Sequence, residues 1–158
     1  MSRTVTNVVI AGLGGQGVLK ASDILADAAF RAGLDVKKSE IRGMSQRGGS
    51  VASDVRFGRE GLSPMVPPGE ADYLVVLAPD QTEVHRARLR PGGILVSPDL
   101  ISENGLPNPL SLNVALLGRL STHLDIGEAD WLAAIRANLP EKLHEANQAA
   151  FAIGRRNT

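Results

Sequence analysis

Four apolar residues, Val8-Val9-Ile10-Ala11, run straight into Gly12-Leu13-Gly14-Gly15-Gln16-Gly17, and that junction restricts the fold more than any other stretch. The apolar run is too short for a helix. Being apolar throughout, it suits a strand buried on both faces of a sheet. Beyond the glycines, Val18, Ala21, Leu25, Ala28 and Ala32 recur at helical spacing with Lys20, Asp23 and Asp27 outside the stripe. Gly33 supplies a left-handed stop. A strand that enters a glycine turn and then a helix aims unpaired N–H groups and a positive helix end at an anion. Gly12, Gly14 and Gly17 also satisfy G-x-G-x-x-G, and a turn made tight for packing alone would use the same glycines.

A second glycine stretch follows a second strand. Leu34 to Ile41 reads as a second strand, either at an edge or poorly buried, because Asp35, Lys37 and Lys38 interrupt it. After it comes Arg42-Gly43-Met44-Ser45-Gln46-Arg47-Gly48-Gly49-Ser50, with two fixed positive charges. Arg47 stands beside glycines that let a ligand approach the backbone, and its guanidinium can grip a carboxylate or phosphate with two parallel bonds. Gln46 offers a donor and an acceptor. A solvated turn is the plainer reading, but such a turn needs one glycine where this loop has three. A dinucleotide site remains open as well, with Glu40 about 20 positions past the first loop as the ribose partner. Lys37 and Lys38 beside it fit that poorly.

The remaining chain alternates strand and helix. Val51 to Phe57 has Val51, Val55 and Phe57 on one face and Asp54 and Arg56 on the other, which predicts a strand covered on one side. Leu62 to Val66 is expected to return as a short strand, making a hairpin inserted in the β/α pattern. Tyr73 to Ala78 reads as a buried strand. Asp80 and Glu83 have capping-box spacing for a helix over residues 81–89, which the Arg90-Pro91-Gly92-Gly93 turn ends. Ile94 to Ser97 makes another strand, and Pro98 to Pro109 a loop. Three helical stripes follow, over residues 112–120, 129–139 and 141–153, with Pro140 between the last two. The expected fold is an α/β, Rossmann-like three-layer domain with a mainly parallel sheet, a β-hairpin insertion and a helical C-terminal end. Residues 1–158 are expected to form one domain, a length within the usual range.

Composition excludes several functions. Lys and Arg number 17, matching 17 Asp and Glu, so no broad positive field exists to hold nucleic acid. One Trp, one Tyr and three Phe make no stacking platform for single strands. Cysteine is absent, which removes disulfides, thiolate nucleophiles and cysteine-held iron–sulfur clusters from this chain. The longest apolar run, Tyr73 to Ala78, falls far short of the about 20 residues that span a bilayer. Residues 1–7 lack the apolar region of a signal peptide. The expectation is a soluble, cytoplasmic protein with no membrane and no nucleic-acid partner. His85, His123 and His144 are too scattered for a metal site and read as solvated. Asp54 and Asp72 read as surface or turn residues.

Taken together, Gly12-x-Gly14-Gly15-Gln16-Gly17-Val18 and Gly43-Met44-Ser45-Gln46-Arg47-Gly48-Gly49-Ser50-Val51, followed by Val55-Arg56, resemble the gamma-type domain of the 2-oxoacid:ferredoxin oxidoreductases. Within that group the likeness is to the small subunit of indolepyruvate:ferredoxin oxidoreductases. It continues through Ala71-Asp72-Tyr73, the Arg90-Pro91-Gly92-Gly93 turn, Leu112-Asn113-Val114 with Gly118, and Asn147, Phe151 and Gly154. The resemblance implies a subunit that closes an active site and positions a 2-oxoacid or coenzyme A for oxidative decarboxylation to acyl-CoA. It also implies a large partner subunit carrying thiamine diphosphate, magnesium and 4Fe–4S clusters, with ferredoxin as acceptor. The chain has no Gly-Asp-Gly segment of the kind that holds diphosphate-bound magnesium, in keeping with that division. On this likeness Gly12, Gly14, Gly15, Gln16 and Gly17 would face anionic groups, and Met44, Ser45, Gln46, Arg47, Gly48 and Gly49 would position substrate or coenzyme A. No self-sufficient catalytic residue and no metal ligand is implied here.

Overall fold

The computed structural model describes residues 5–42, 49–59, 62–101 and 106–156. Strand β1 (Val5–Leu13) lies at the centre, followed by α1 (Val18–Arg31), β2 (Asp35–Arg42), β3 (Ser50–Gly58) and β4 (Ala71–Val76). A short α2 (Thr82–His85), flanked by 3₁₀ turns, leads to β5 (Leu89–Val96). The C-terminal part is α3 (Leu112–Ser121), α4 (Glu128–Asn138) and α5 (His144–Arg156).

The sheet order is β2-β3-β1-β4-β5. Strand β1 pairs in parallel with β4, and β4 with β5, whereas β3 is antiparallel to both β1 and β2. Among the described residues β3 alone therefore runs against the others. The expected hairpin of Val51–Phe57 with Leu62–Val66 does not form; β3 instead makes its antiparallel pair with the preceding strand β2. Leu62 to Val66 is not a strand: this stretch lies across the sheet, where Arg56 donates to the carbonyls of Ser63 (3.0 Å) and Met65 (3.3 Å). Pro64, Pro67 and Pro68 lack the N–H groups a ladder would need.

Helices cover one sheet face. Val8, Ile10, Val55 and Phe57 meet the stripe of α1 and the apolar faces of α3, α4 and α5 in the larger core. Val18, Ala21, Leu25 and Ala28 are buried as their spacing predicts, while Ala32 falls in the exposed cap and Gly33 takes the left-handed φ of 91°. Trp131 and Phe151 fill the centre, ring centroids 5.4 Å apart. Helices α3 and α5 touch at glycine: a Cβ on Gly118 would overlap the carbonyl of Phe151, and one on Gly154 that of Ala115.

The opposite face has a thinner cover, made by residues 62–70 and the α2 region over Val9, Ala11, Ala52, Leu74 and Val76. Asp54 pins it. Its Oδ2 accepts from Val66 N (2.9 Å) and from Arg88 (2.7 Å), and the residue is fully buried, which corrects the surface reading. Asp72 is likewise buried, accepting from Asn7 N (2.8 Å) and Arg90 Nε (2.7 Å). Both carboxylates are inside because β3 and β4 are interior strands whose two faces are covered. His85 sits half-buried beside this lock. Burial first, then the nearby Arg88 charge, pushes its pKa below the ordinary histidine value, with Asp54 pulling the other way. The Asp80–Glu83 box does not form, since Ala78 takes the N-cap position without a side-chain bond. The Arg90–Gly93 turn is instead part of β5.

Candidate functional site

The C-terminal ends of β1, β2, β4 and β5 and the start of β3 share one edge of the sheet. Strand β1 leads toward β2 on one side, while β4 continues on the other, so the β1/β4 edge is where chain direction across the sheet switches. Open α/β sheets bind ligands at such a point.

The first glycine loop is built there by short bonds. Gly12 is still in the strand, opposite Val51, and its missing Cβ leaves room for Gln16 Oε1, Leu77 and Val18. Gln16 turns inward, its Oε1 accepting from Leu13 N at 2.7 Å. This side chain braces the loop, a role its position in the motif did not reveal. Gly15 and Gly17 adopt φ of 87° and 85°, and Gly17 is the N-cap of α1. No side chain caps that end and no acidic residue occupies its first turn. The helix's own first turn thus supplies no carboxylate to offset its positive end. Asn113, at the start of α3, donates from Nδ2 to Gly17 O at 3.2 Å.

The second loop is joined to the first. Gly14 N donates to Gly49 O at 2.9 Å, and Ser50 Oγ to Gln81 Oε1 at 2.7 Å. Gly49 is half-buried, and Gly14 and Gly15 are exposed. Met44, Ser45, Gln46, Arg47 and Gly48 lie outside the described residues. A hollow of about 330 Å³ opens beside the first loop, lined by Gly15, Gln16, Gly17, Leu77, Pro109, Leu110 and Leu112. A larger cleft, about 550 Å³, lies at the opposite end of the sheet among Thr6, Arg59, Asp72, Arg90 and His123. It is remote from both loops, and Asp72 already engages Arg90, so the smaller hollow is the better seat for chemistry at the loops.

The dinucleotide alternative loses its geometry. Glu40 stands on β2, which β3 separates from β1, and it accepts from Lys38 Nζ at 3.2 Å. Lys38 also pairs with Asp23 of α1. Burial opposes the lysine charge, but the hydrogen bonds and charges of Asp23 and Glu40 outweigh it and raise its pKa above the ordinary value. Among the described residues no group of three His, Cys, Asp or Glu side chains could hold a metal ion. No helix of the described residues is long and apolar enough to cross a membrane. His123 is exposed against the Tyr73 ring, its pKa lowered by burial and by Arg119, and His144 Nε2 lies 2.7 Å from Leu139 O.

Residues 7–107, a span that takes in both glycine loops, match the family model of pyruvate ferredoxin/flavodoxin oxidoreductase. The chain belongs to that family. The indolepyruvate oxidoreductase subunit IorB of Thermococcus kodakarensis is 39% identical over 87% of this chain and 66% of its own length. Its namesake in Methanothermobacter thermautotrophicus is 29% identical over 94% of this chain and 95% of its own length. The first match thus spans just under two thirds of that relative, and a third IorB, from Pyrococcus horikoshii, is matched over 44% of its length. Among solved structures, the gamma subunit of a keto/oxoacid ferredoxin oxidoreductase from Geobacter sulfurreducens has the same fold. Its TM-score is 0.79 at 22% identity, covering 96% of this chain and 95% of that one. A 2-oxoglutarate:ferredoxin oxidoreductase from Magnetococcus marinus gives 0.84 at 23% identity, covering 99% of this chain and 31% of that one.

The family's fold explains residues that first carried the resemblance. Asn113 ties α3 to the glycine loop, Gly118 and Gly154 let α3 and α5 touch, and Arg90 neutralises buried Asp72.

Proposed function

We propose that this chain is the small subunit of a cytoplasmic 2-oxoacid:ferredoxin oxidoreductase acting on indolepyruvate or a related aryl-pyruvate. The observation that carries the reading is the joining of the two glycine loops, Gly14 to Gly49, at the switch edge of a sheet with this family's fold. The N-terminus of α1, where the N-cap Gly17 offers no side-chain cap, suits a carboxylate or phosphate. Arg47 and Gln46 on the second loop provide the gripping side chains for the oxoacid carboxylate or a coenzyme A phosphate. The aryl-pyruvate assignment rests on the IorB relatives.

Catalysis then belongs to an assembly. The large subunit holds thiamine diphosphate with magnesium and the 4Fe–4S clusters, which supply decarboxylation and electron transfer to ferredoxin. This chain, without cysteine or a carboxylate cluster among its described residues, contributes orientation and closure. It is inactive alone.

An anaerobic pull-down of the tagged chain from its native cell tests the proposal. A large co-purifying protein with iron, sulfide and thiamine diphosphate, reducing ferredoxin when indolepyruvate and coenzyme A are added, is the expected result. A colourless chain recovered alone, from cells that contain the large subunit, overturns it.

A further inference from the structure

Strand β2 ends the sheet, and among the described residues no strand lies beyond it, so alternate N–H and C=O groups along Asp35–Arg42 have no ladder partner. The two edges of the sheet differ. At the far edge β5 carries Pro91, which lacks an N–H, and its register with β4 shifts between Ala71 and Tyr73. Neither device guards β2, whose pairing with β3 is unbroken from Asp35 with Gly58 to Arg42 with Val51. It carries charge instead. Lys38 bonds to Asp23 of α1 and to Glu40, which puts Lys38 and Glu40 on the helix-covered face, while Lys37, Ser39 and Ile41 fall on the other. Charged side chains on an edge ordinarily keep other strands away.

We infer that β2 pairs with the β2 of a second copy of this chain, antiparallel and centred on Ser39. A two-fold axis between antiparallel edge strands sets one residue opposite itself, because facing residues must share a side of the sheet. The charges of β2 then select the centre. Centring on Asp35, Lys37, Lys38 or Glu40 opposes like charges directly, which is destabilising, and centring on Val36 or Ile41 leaves most of the strand unpaired. Ser39 alone avoids both. In that register Lys38 faces Glu40 of the second copy and Glu40 faces its Lys38, so the symmetry makes the opposite-charge contact twice. An ammonium has three donors, and Asp23 and the chain's own Glu40 take two, which leaves one for the carboxylate across the edge. On the other face the alkyl stem of Lys37 covers Ile41, which is 45% exposed in the single chain. One continuous sheet then runs through both copies.

Sedimentation of the complete chain at rising concentration, together with cross-linking, tests the pairing. Wild type dimerises, and Glu40→Lys and Lys38→Glu each weaken the dimer by at least about tenfold, since the symmetry applies every substitution twice. Mixed together, these two variants dimerise with each other, because each then meets the opposite charge. The chain has no native cysteine, so Ser39→Cys introduces a lone thiol. Facing Cα atoms about 4.5–5.5 Å apart lie within disulfide range. Ser39→Cys therefore forms a disulfide-linked dimer under a mild oxidant, and Lys37→Cys, which faces Ile41, does not. A wild-type chain that stays monomeric at every concentration overturns the pairing. So does a dimer indifferent to both charge reversals, or equal cross-linking of Ser39→Cys and Lys37→Cys. Each of these results leaves the large-subunit reading standing.

Discussion

Gly14 N donates to Gly49 O at 2.9 Å, a contact that ties the first glycine loop to the end of a second glycine stretch distant in sequence. The bond lies just beyond the last pairs of the β1–β3 ladder, Gly12 with Val51 and Leu13 with Ser50. A group seated at Gly14 therefore lies close to Gly49 at the start of β3.

Arg47→Ala tests the second loop. On the proposed function the variant assembles normally and raises KM for indolepyruvate or coenzyme A by about tenfold or more, the worth of a charge-assisted hydrogen bond. Steady-state kinetics of the complete complex decide it, and unchanged KM values for both substrates remove Arg47 from the site.

Gly17→Ala tests the first. At a φ of 85° a Cβ is strained, and here it also meets Asn113 Nδ2 at 2.5 Å. The expected loss is about 1–3 kcal/mol in urea unfolding. Loss of coenzyme A or oxoacid affinity in the assembled enzyme should accompany it.

Gly118→Ala tests the contact between α3 and α5. A methyl group there overlaps backbone and not a yielding side chain, so the helices must separate. A fall of about 3 kcal/mol, toward the upper end of overpacking costs, is expected in thermal or urea unfolding.

Asp54→Ala breaks a buried pair and leaves the Arg88 guanidinium facing the covered sheet. The expected cost is about 3–5 kcal/mol. By contrast, Asp23→Ala removes a partly exposed partner of Lys38 and should cost under about 1 kcal/mol.

Acid should weaken the fold through His85. Its folded pKa lies below the ordinary value of about 6.5, so the unfolded chain binds the proton more tightly. Stability then falls as pH drops from above 6.5 through the folded value, and His123 acts in the same direction. Urea midpoints at pH 7.5 and 5.5 should differ, and His85→Gln should narrow the gap. An equal gap in the variant excludes His85 as a source.

The features legible in the sequence were those set by neighbours along the chain. The run Val8 to Ala11, the stripe of α1 and the stop at Gly33 each follow from local period or backbone freedom. Asp54 and Asp72 were illegible because their cations, Arg88 and Arg90, arrive from distant positions. The inward Gln16 could have been suspected, since Gly12 leaves a gap of the right size beside it. Leu62 to Val66 read as a strand because its apolar ends suit one, whereas Pro64 and the donors of Arg56 decided otherwise.

The reversal of β3 has an evolutionary consequence. The segment between β2 and β3 leaves and re-enters the sheet through strands paired from Asp35 with Gly58 to Arg42 with Val51. Lengthening a connection between ends already fixed costs little closure entropy. Descendants of one ancestral domain can therefore vary this stretch while inheriting an unaltered scaffold.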